Sequence, residues 1–295
     1  MVPVALAISS FRNDEAVLAL LERVPPDTFR SVLVVDSLGT GRIPREILGR
    51  GWTHVAYRSV DRNLGSAGNL QLRLEAAAAT GAEWVYAVNH DAALNPATIR
   101  ALVDVARANP RLGAVYPLRR RPGRGGTFDL TGTHRFPLRY HGVTEAPTGL
   151  LDVWWGSSNG TLYALEPVRR GIVPDGGLWM GWEDLLYGWV LADRGYRQVV
   201  ATDAVFDDPY EYKQVGGVSI TDKPSWYAYY FARNLVLASS RAKVPASVKA
   251  QLVARIAGEF AVSATLRSKR RERLGLLTAG LVDGFRGKTG KYRVP

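Results

Sequence analysis

The sequence predicts an α/β protein built on a doubly wound, mostly parallel sheet and continued by a helical C-terminal region. Short apolar runs rich in β-branched residues alternate with helical patterns over the first 116 residues. These runs are almost continuously apolar, as strands covered on both faces require. Hydrophobic residues make up 46% of the 295 residues, which is enough for a large core, and the absence of cysteine excludes disulfides, thiolate metal sites and a cysteine nucleophile.

The first half of the chain carries the βαβ rhythm. Its predicted strands cover residues 2–8, 31–36, 53–58, 84–88 and 112–116. A helix rich in Leu and Ala is predicted over 66–80, and another from Pro96 to about residue 108 with Asn95 as its N-cap. Proteins of this class bind ligands at the carboxyl ends of their parallel strands.

The second half is less regular. Residues 119–149 contain Gly, Pro, Arg and His with little periodicity, and we predict a long, partly mobile loop there. Beyond it the patterns predict strands at 151–155, 161–165 and 197–201 and a helix at 183–194 that ends before Gly195. Three further helices are predicted at 226–240, 246–267 and 272–285.

The net charge of +11 is a property of the C-terminus. Residues 241–295 carry 13 Lys and Arg against 3 Asp and Glu, whereas the other 240 residues carry 25 and 24. A neutral body with a basic tail indicates contact with an anionic surface through the tail alone, and both lipid headgroups and phosphodiesters are candidates. Few aromatic residues interleave with the basic ones, which argues against a nucleic-acid-binding module.

One predicted C-terminal helix is amphipathic. Its apolar positions recur every four residues and are expected to lie opposite Lys249 and Arg255; they are Val248, Leu252, Ile256 and Phe260. This stripe fits a lipid surface and a protein core equally well, so both alternatives stay open.

The segment Asn89-His90-Asp91 directly follows the predicted strand 84–88, so its side chains are expected at the ligand-binding edge of the sheet. A carboxylate there can hold Mg²⁺ or Mn²⁺ together with the phosphates of a substrate. An acidic residue at a strand end is also a common turn former or helix cap, so the segment alone allows both interpretations.

Residues 62–69, Arg-Asn-Leu-Gly-Ser-Ala-Gly-Asn, lie between a predicted strand and a predicted helix. Their two glycines would let backbone approach a ligand closely, and the following helix N-terminus favours anions. A purely structural turn uses the same residue types, so this run is a weak signal on its own.

Glu183 and Asp184 open a predicted helix after the aromatic, glycine-rich residues 176–182. Capping and the helix dipole account for two acids at this place; the functional alternative is a catalytic base with a supporting residue. Since consecutive helical residues point about 100° apart, only one of the two is expected to face a given pocket. Neighbouring tryptophans either stack on sugar rings or belong to the core.

Several enzyme classes lack their motifs. Residues 156–160 match G-x-S-x-G, but a strand is predicted after Ser158 and all four histidines precede it, so an α/β-hydrolase triad cannot form in its usual order. The sequence also contains no H-E-x-x-H motif and no P-loop lysine motif.

Taken together, these features resemble the family 2 glycosyltransferases of the GT-A fold, in the branch of bacterial rhamnosyl- and galactofuranosyltransferases. The resemblance extends over nearly the whole chain. It is carried by the order and spacing of five elements: Ser-Phe-Arg-Asn at 10–13, Asp36 at a strand end, the run 63–69, Asn89-His90-Asp91, and Trp182-Glu183-Asp184 before a helix that ends in Arg-Gly-Tyr at 194–196.

The resemblance implies an inverting enzyme that moves a sugar from a UDP- or dTDP-linked donor to a hydroxyl of a glycan, lipid-linked or other cell-envelope or secondary-metabolite acceptor. Asp36 would accept a hydrogen bond from the pyrimidine N3–H. The residues implied to contact the nucleotide are Ser10, Arg12, Asp36, Arg62, Asn63, Gly65, Asn69 and Asn89.

The resemblance also implies a Mg²⁺ or Mn²⁺ ion held by Asp91. Asn89 stands where the family has the first acid of its D-x-D motif, which removes one charge, and Asp207 replaces the family's histidine beyond the last strand. Asp184 aligns with the catalytic base and Glu183 with its supporting residue. Trp155, Trp179 and Trp182 would bind the acceptor.

The predicted organisation has three parts. Residues 1–117 form the nucleotide-sugar-binding half, 118–222 the acceptor-binding and catalytic half of the same domain, and 223–295 a basic helical region. No basic region precedes the apolar run 1–8 and no window holds 18 uncharged apolar residues, so we expect neither a signal peptide nor a spanning helix. The expected location is cytoplasmic and peripheral, on an anionic membrane surface, with no nucleic-acid partner.

Two alternative functions stay open at this point. One is a non-catalytic protein of the same fold that binds sugar nucleotides or glycans. The other is a nucleotidyltransferase, whose expected glycine-rich loop with a basic residue after the first strand is not what residues 9–13 contain.

Overall fold

A computed structural model describes residues 4–24, 28–208 and 223–292, together with the backbone of 213–215 and 218–220. Residues 2 and 3 of the first predicted strand lie outside this described part. The described strands are β1 (Val4–Phe11), β2 (Ser31–Ser37), β3 (Val55–Val60), β4 (Trp84–Asn89), β5 (Leu112–Arg121), β6 (Thr127–Asp129), β7 (Gly142–Val143), β8 (Leu150–Asp152), β9 (Thr161–Ala164), β10 (Arg197–Asp207), β11 (Lys213–Val215) and β12 (Val218–Ile220).

The α-helices of the described part alternate with the strands in the first half and dominate after residue 226. They are α1 (Asp14–Leu21), α2 (Arg42–Gly49), α3 (Gly65–Ala78), α4 (Pro96–Ala108), α5 (Glu166–Arg169), α6 (Glu183–Asp193), α7 (Tyr227–Arg241), α8 (Ala246–Thr265) and α9 (Arg270–Phe285). The predicted mixed α/β class with a mostly parallel sheet and a helical C-terminal extension is confirmed.

The main sheet has the strand order β3-β2-β1-β4-β9-β5-β10-β8. Strands β1 to β4 are parallel neighbours, and β10 runs parallel to β5. The sequence pattern predicted β5 as the last member of one parallel series, and this was wrong in one respect. The antiparallel strand β9 lies between β4 and β5 and pairs with both, and all four of its residues are buried in this central position.

Both faces of the sheet are covered, as the continuous apolar runs predict. In β1, Val4, Leu6 and Ile8 belong to one core cluster, whereas Ala5 and Ala7 belong to the cluster on the opposite face. The two small residues leave room for α3, whose Leu70 and Leu74 pack on that face. This close packing fixes the beginning of α3 beside the carboxyl ends of β1 and β4.

The prediction of a long loop at 119–149 was wrong in part, because short strands interrupt it, whereas residues 130–141 and 144–149 contain no helix or strand. Strand β5 continues to Arg121, and β6 and β7 extend the sheet as short antiparallel additions. An ion pair with a 2.7 Å nitrogen–oxygen distance joins Arg121 to Asp129 across β5 and β6. Strands β6 and β7 are three and two residues long, which is too short to show an alternating apolar pattern, so hydrophobic periodicity does not reveal them.

The C-terminal helices pack on the rest of the molecule through the amphipathic stripe of α8. Val248 and Leu252 are buried in a cluster with residues of α6 and α7, and Ile256 and Phe260 are partly buried against it. Arg255 was expected opposite this stripe, but it lies two turns after Val248 and hence on the same face. None of the described helices is long and apolar enough to cross a membrane.

Candidate active site

The strand register brings the predicted ligand-binding residues to one edge of the sheet. Ser10 in β1 pairs with Asp36 in β2, and Ser9 pairs with Asn89 in β4. The Ser9 hydroxyl donates to Asn89 Oδ1 at 3.1 Å, and the Asn89 backbone N–H donates to Asn159 Oδ1 at 2.9 Å. The carboxyl end of β4 at Asn89 is therefore fixed by two hydrogen bonds, one to its side chain and one from its backbone.

A cavity of about 530 Å³ opens at this edge, between the strand ends, the beginning of α3 and the beginning of α6. Ten of the fifteen predicted site residues line it: Ser10, Asn63, Gly65, Asn69, Asn89, Asp91, Trp155, Trp182, Glu183 and Asp184. Residues from five separate stretches of sequence thus meet around one space. The other five predicted residues lie outside its lining.

Four of these five lie apart from the cavity. Arg12 and Arg62 are exposed. Trp179 packs on Tyr230, with ring centroids 4.8 Å apart, and its indole N–H donates to the backbone oxygen of Asn63 at 3.2 Å. Asp207 is half exposed and forms a two-point ion pair with Arg120, with nitrogen–oxygen distances of 2.5 and 2.7 Å.

Asp36, the fifth, is fully buried behind Ser10 and Ser37. Its Oδ2 accepts from the Tyr57 hydroxyl at 2.8 Å, whereas Oδ1 has no hydrogen-bond partner among the described residues. Burial and the neighbouring carboxylate raise the pKa of Tyr57 to about 12, so the phenol keeps its proton and donates. Asp36 therefore keeps one acceptor oxygen unsatisfied, next to residues that line the cavity but outside the lining itself.

Unpartnered buried polar atoms are concentrated around the cavity. Among the described residues, six lining side chains each bury a polar atom with no partner: Ser10 Oγ, Ser37 Oγ, Asn69 Oδ1, Arg73 Nε, Trp182 Nε1 and Glu183 Oε2. Leaving such atoms unbonded is costly, and native proteins do so rarely. Their concentration indicates a site that is completed by a polar ligand.

Both Glu183 and Asp184 line the cavity, so the expectation that only one of them could face a pocket was wrong. The N-terminal end of α6 points at the cavity. Side chains of the first helical turn are arranged around that end, so two consecutive residues can both reach the same cavity. Burial is the main cause that raises the pKa of both carboxyl groups; for Asp184 the charge of Glu183 adds to it and brings the pKa to about 7.

The loop before α6 has an unusual backbone. Trp179, Gly181 and Trp182 all have positive φ, at +60°, +80° and +66°, and two of the three are not glycine. Such conformations persist only where surrounding contacts hold them.

Asn234 of α7 provides those contacts. This fully buried residue directs its amide nitrogen at the carbonyl oxygens of Leu178, Met180 and Gly181, at 3.0, 2.8 and 2.8 Å. Arg233 adds a 2.6 Å hydrogen bond to the Leu178 oxygen. A C-terminal helix thus sets the position of the acid pair.

Comparison with known proteins finds similarity in structure and none in sequence. No family model and no curated protein matches the sequence. The structure is similar to that of S. aureus TarS 1–349, with a TM-score of 0.60 and 14% identity, over 96% of this chain and 80% of TarS 1–349.

Two further solved structures are similar. One is the mannosyltransferase PcManGT from Pyrobaculum calidifontis in complex with GDP-Man and Mn²⁺, with a TM-score of 0.57 and 19% identity, over 97% of this chain and 87% of PcManGT. The other is GalNAc-T7 with UDP, GalNAc and Mn²⁺, with a TM-score of 0.56 and 12% identity, over 83% of this chain and 52% of GalNAc-T7. The chain has the GT-A fold.

Within this GT-A fold, a preformed metal site is absent from the described residues: no three His, Asp or Glu side chains come together to hold an ion. Asn89 Oδ1 already accepts from Ser9, which leaves His90 and the exposed Asp91 at the corner of the cavity. Mg²⁺ and Mn²⁺ commonly take one or two protein ligands plus substrate phosphates. The residues present therefore fit a cation that arrives with a diphosphate, and they do not fit a resident ion.

Arg73, which was not predicted from the sequence, lines the cavity from α3 and is buried. Its guanidinium donates to the backbone oxygens of Val88 at 2.8 Å and Ala7 at 3.4 Å, and burial lowers its pKa to about 10. A signal existed, because Arg73 shares helical spacing with Leu70, Leu74 and Ala77, and a charge on an apolar face is unusual.

Proposed function

We propose that this chain is an inverting glycosyltransferase that moves a sugar from a nucleoside-diphosphate sugar to an acceptor hydroxyl. One observation carries the proposal. In a GT-A fold, an acid pair with raised pKa values, formed by the buried Glu183 and the partly buried Asp184, lines the same cavity as the segment Asn89-His90-Asp91 and six unpartnered polar atoms. Similar structures contain GDP-Man with Mn²⁺ and UDP with Mn²⁺, which supports a sugar-nucleotide donor.

The donor would be UDP- or dTDP-linked. Asp36 Oδ1 is a buried acceptor without a partner among the described residues, which suits the N3–H of uracil or thymine. Ser10 and Asn69, which line the cavity nearby, would contact the nucleoside. The diphosphate would lie along Asn63 and Gly65 at the beginning of α3, where the helix N-terminus favours anions.

Asp184 would act as the base. The acceptor hydroxyl attacks the anomeric carbon while the nucleoside diphosphate leaves from the opposite face, so the configuration inverts. An ordinary carboxylate of pKa about 4 is a weak base, but the raised pKa of Asp184 suits it to accept the hydroxyl proton near neutral pH. Glu183 would support it by keeping the shared environment negatively charged.

Mg²⁺ or Mn²⁺ bound to the donor would be held by Asp91 and His90 and would neutralise charge on the leaving diphosphate.

For the acceptor, Trp155 and Trp182 line the cavity and can stack on a sugar ring. Trp179 would act indirectly, by anchoring the backbone of Asn63.

Three regions share this work in the proposal. Residues 1–117 bind the donor, 118–222 supply the acid pair and the acceptor surface, and 223–295 hold the acid pair in place. Exposed Val282 and Phe285 with the neighbouring Arg286 and Lys288 suit a peripheral position on anionic lipid at the inner face of the cell membrane. A lipid-linked or other cell-envelope acceptor would be met there.

A thermal-shift series with UDP, dTDP, GDP and CDP, each with and without Mn²⁺, tests the donor site. A ligand that binds only the native state raises the melting temperature. We expect UDP or dTDP to stabilise the protein, more strongly with Mn²⁺, and Asp36→Ala to abolish the preference for these bases. Absence of stabilisation by all four nucleotides would contradict the proposed function.

A further inference from the structure

A second cavity of about 760 Å³ adjoins the proposed donor cavity. The two share Trp155, Ser157, Trp182, Lys223 and Tyr227 in their linings. Trp182 directly precedes the acid pair, so a ligand in the second cavity can extend a hydroxyl to Asp184. The second cavity therefore lies where an acceptor has to bind if the proposed function holds.

The wall of this second cavity comes from the catalytic half and from the helical C-terminal region. Residues at the end of β5 and in β6 form one side, and α7 and α8 form the other through Phe231, Arg255 and Glu259. Because α8 packs through Val248 and Leu252, the next two turns of the same face are directed at the cavity. The residues of α8 that line the cavity are Arg255, Gly258, Glu259 and Val262, whereas Ile256 and Phe260 of the predicted stripe pack against the core.

The lining is basic. Seven Arg and Lys side chains line the cavity against three acidic ones, Asp129, Asp208 and Glu259. Residues 209–222, whose side chains lie outside the described part, contain only two further acids, Glu211 and Asp222. Even if both acids lay against this cavity, basic residues would still outnumber acidic ones. A surface of this composition attracts anions.

Aromatic rings and a guanidinium meet at the boundary between the cavities. The Arg255 guanidinium lies 5.1 Å from the centroid of the Trp182 ring and donates to the backbone oxygen of Leu138 at 3.0 Å. The rings of Trp155 and Trp182 stand edge to face, 6.3 Å apart, and Trp182 Nε1 has no partner among the described residues. Stacking surface and positive charge are thus adjacent, as recognition of a phosphorylated sugar requires.

We propose that the second cavity is the acceptor site and that it selects an acceptor carrying a phosphate group, with the sugar ring on Trp155 and Trp182 and the phosphate on Arg255 and Arg139. This inference rests on the proposed function and names the substrate class of the same site. The phosphate belongs either to a soluble sugar phosphate or to a lipid-linked headgroup, which present the same chemistry to the cavity.

Calorimetric titration of the full chain, carried out with UDP and Mn²⁺ at saturation so that the donor cavity is filled, tests this proposal. The probes are glucose 1-phosphate, methyl glucoside and decyl phosphate, the last below its micelle concentration. We expect glucose 1-phosphate to bind at least about tenfold more tightly than methyl glucoside, because a charge-assisted hydrogen bond contributes about 1.5–3 kcal/mol. Tighter binding of decyl phosphate would identify a lipid-linked source.

Arg255→Gln and the exposed Arg139→Gln should each weaken binding of glucose 1-phosphate about tenfold, whereas Lys249→Gln on the exposed side of α8 should not change it. If UDP binds but glucose 1-phosphate and methyl glucoside bind equally, the acceptor inference is overturned and the donor site stands. If UDP does not bind at all, both proposals fail. Equal loss in Lys249→Gln would also overturn the inference, since a general effect of net charge would then explain it.

Discussion

At the scale of single residues, the acid pair and Asp36 share one property, which is that their carboxyl groups are wholly or partly removed from water. Glu183 and Asp184 lie in an environment that raises their pKa values, and Asp36 keeps one oxygen without a partner among the described residues. Strained or unsatisfied groups of this kind cluster at functional sites. The roles proposed for Asp184 and for Asp36 can therefore be tested by separate substitutions.

Replacing the proposed base tests its role directly. Asp184→Asn keeps the shape of the side chain and the 2.8 Å contact between Oδ1 and the Leu185 N–H, but it removes the proton acceptor. We expect sugar transfer to fall at least about a hundredfold with UDP affinity retained. Turnover close to that of the unaltered protein would exclude Asp184 as the base. Glu75→Gln, at an exposed position of α3 outside the cavity lining, is the matched control and should have full activity.

The pH dependence of stability gives a second test of the same pair. A carboxyl group whose pKa is about 3.9 in the unfolded chain and about 7 in the folded protein retains its proton longer in the folded state. Between these two pH values the native state binds more protons, so the free energy of unfolding decreases as pH rises. Asp184→Asn has no carboxyl group at this position, so it does not lose this part of the free energy of unfolding as pH rises. We expect the melting temperature of the variant to exceed that of the unaltered protein by at least about 2 °C at pH 8. Equal melting temperatures at pH 8 would show that the pKa is not raised.

Activity should follow the same titration. Sugar transfer is expected to rise with pH through about 7, because only the deprotonated carboxylate of Asp184 accepts the hydroxyl proton.

Most of the site residues were predictable from sequence because they follow strands or open helices, and parallel strands bring their carboxyl ends together. Arg73 and Asn159 were not predicted. Arg73 lies inside a helix, and Asn159 lies in a loop whose contact with Asn89 joins positions 70 residues apart. Asp207 was predicted as a metal ligand, yet its side chain is ion-paired with Arg120, a residue of the segment whose strand structure sequence analysis also missed.

At the scale of secondary-structure elements, α7 controls the loop before α6. Replacing Asn234 by Asp preserves size but directs a carboxylate oxygen at three carbonyl oxygens. We expect this change to destabilise the fold by about 1–3 kcal/mol, with Asn234→Ala somewhat milder, and to lower sugar transfer at least about tenfold. Chemical denaturation and initial rates measure the two effects. Ser240→Ala on the exposed end of α7 is the control, and equal effects of both changes would contradict the role given to Asn234.

Two glycines of α9 form a natural pair for testing how closely the C-terminal helices pack. A Cβ at Gly280 would overlap the backbone oxygen of Tyr229 in α7, whereas a Cβ at the exposed Gly275 would meet nothing within 4 Å. We expect Gly280→Ala to destabilise the protein by about 1–3 kcal/mol. Gly275→Ala should instead stabilise it by about 0.5–1 kcal/mol through helix propensity. Denaturation midpoints that move in the same direction for both would contradict this packing.

The strands that sequence analysis placed well were those with apolar runs, since burial on two faces leaves a clear pattern. Strand β9 was found, but its antiparallel place between β4 and β5 was not, because order within a sheet depends on pairing between distant segments. Strands β6 and β7, of three and two residues, are too short to leave a periodic pattern. The amphipathic stripe of α8 predicted a buried face, and only the packing could decide that this face meets protein.

At the scale of the whole molecule, the basic C-terminus presents a surface that the core does not use. Phe285 is 81% exposed beside Arg286 and Lys288, although α9 is otherwise packed on α7. We expect the protein to sediment with vesicles of phosphatidylglycerol at low salt, to be released at high salt, and not to bind phosphatidylcholine vesicles.

A matched pair of substitutions localises that contact. Phe285→Ser should weaken vesicle binding several-fold, because the side chain would enter the interface. Leu48→Ser, at an 83% exposed apolar position of α2, should not. Sedimentation that is equally strong with uncharged vesicles, or equally reduced by both substitutions, would contradict a basic C-terminal membrane surface.

The three carbonyl oxygens bound by Asn234 have a consequence for any exchange of the C-terminal helices. These helices supply the amide that holds the loop before the acid pair, and they also supply one wall of the second cavity. In the proposed function, a chimera joined at residue 222 would therefore keep its activity only if the incoming helices brought their own matching asparagine. Point changes on the cavity faces of α7 and α8 are the changes expected to alter acceptor preference without disturbing that loop.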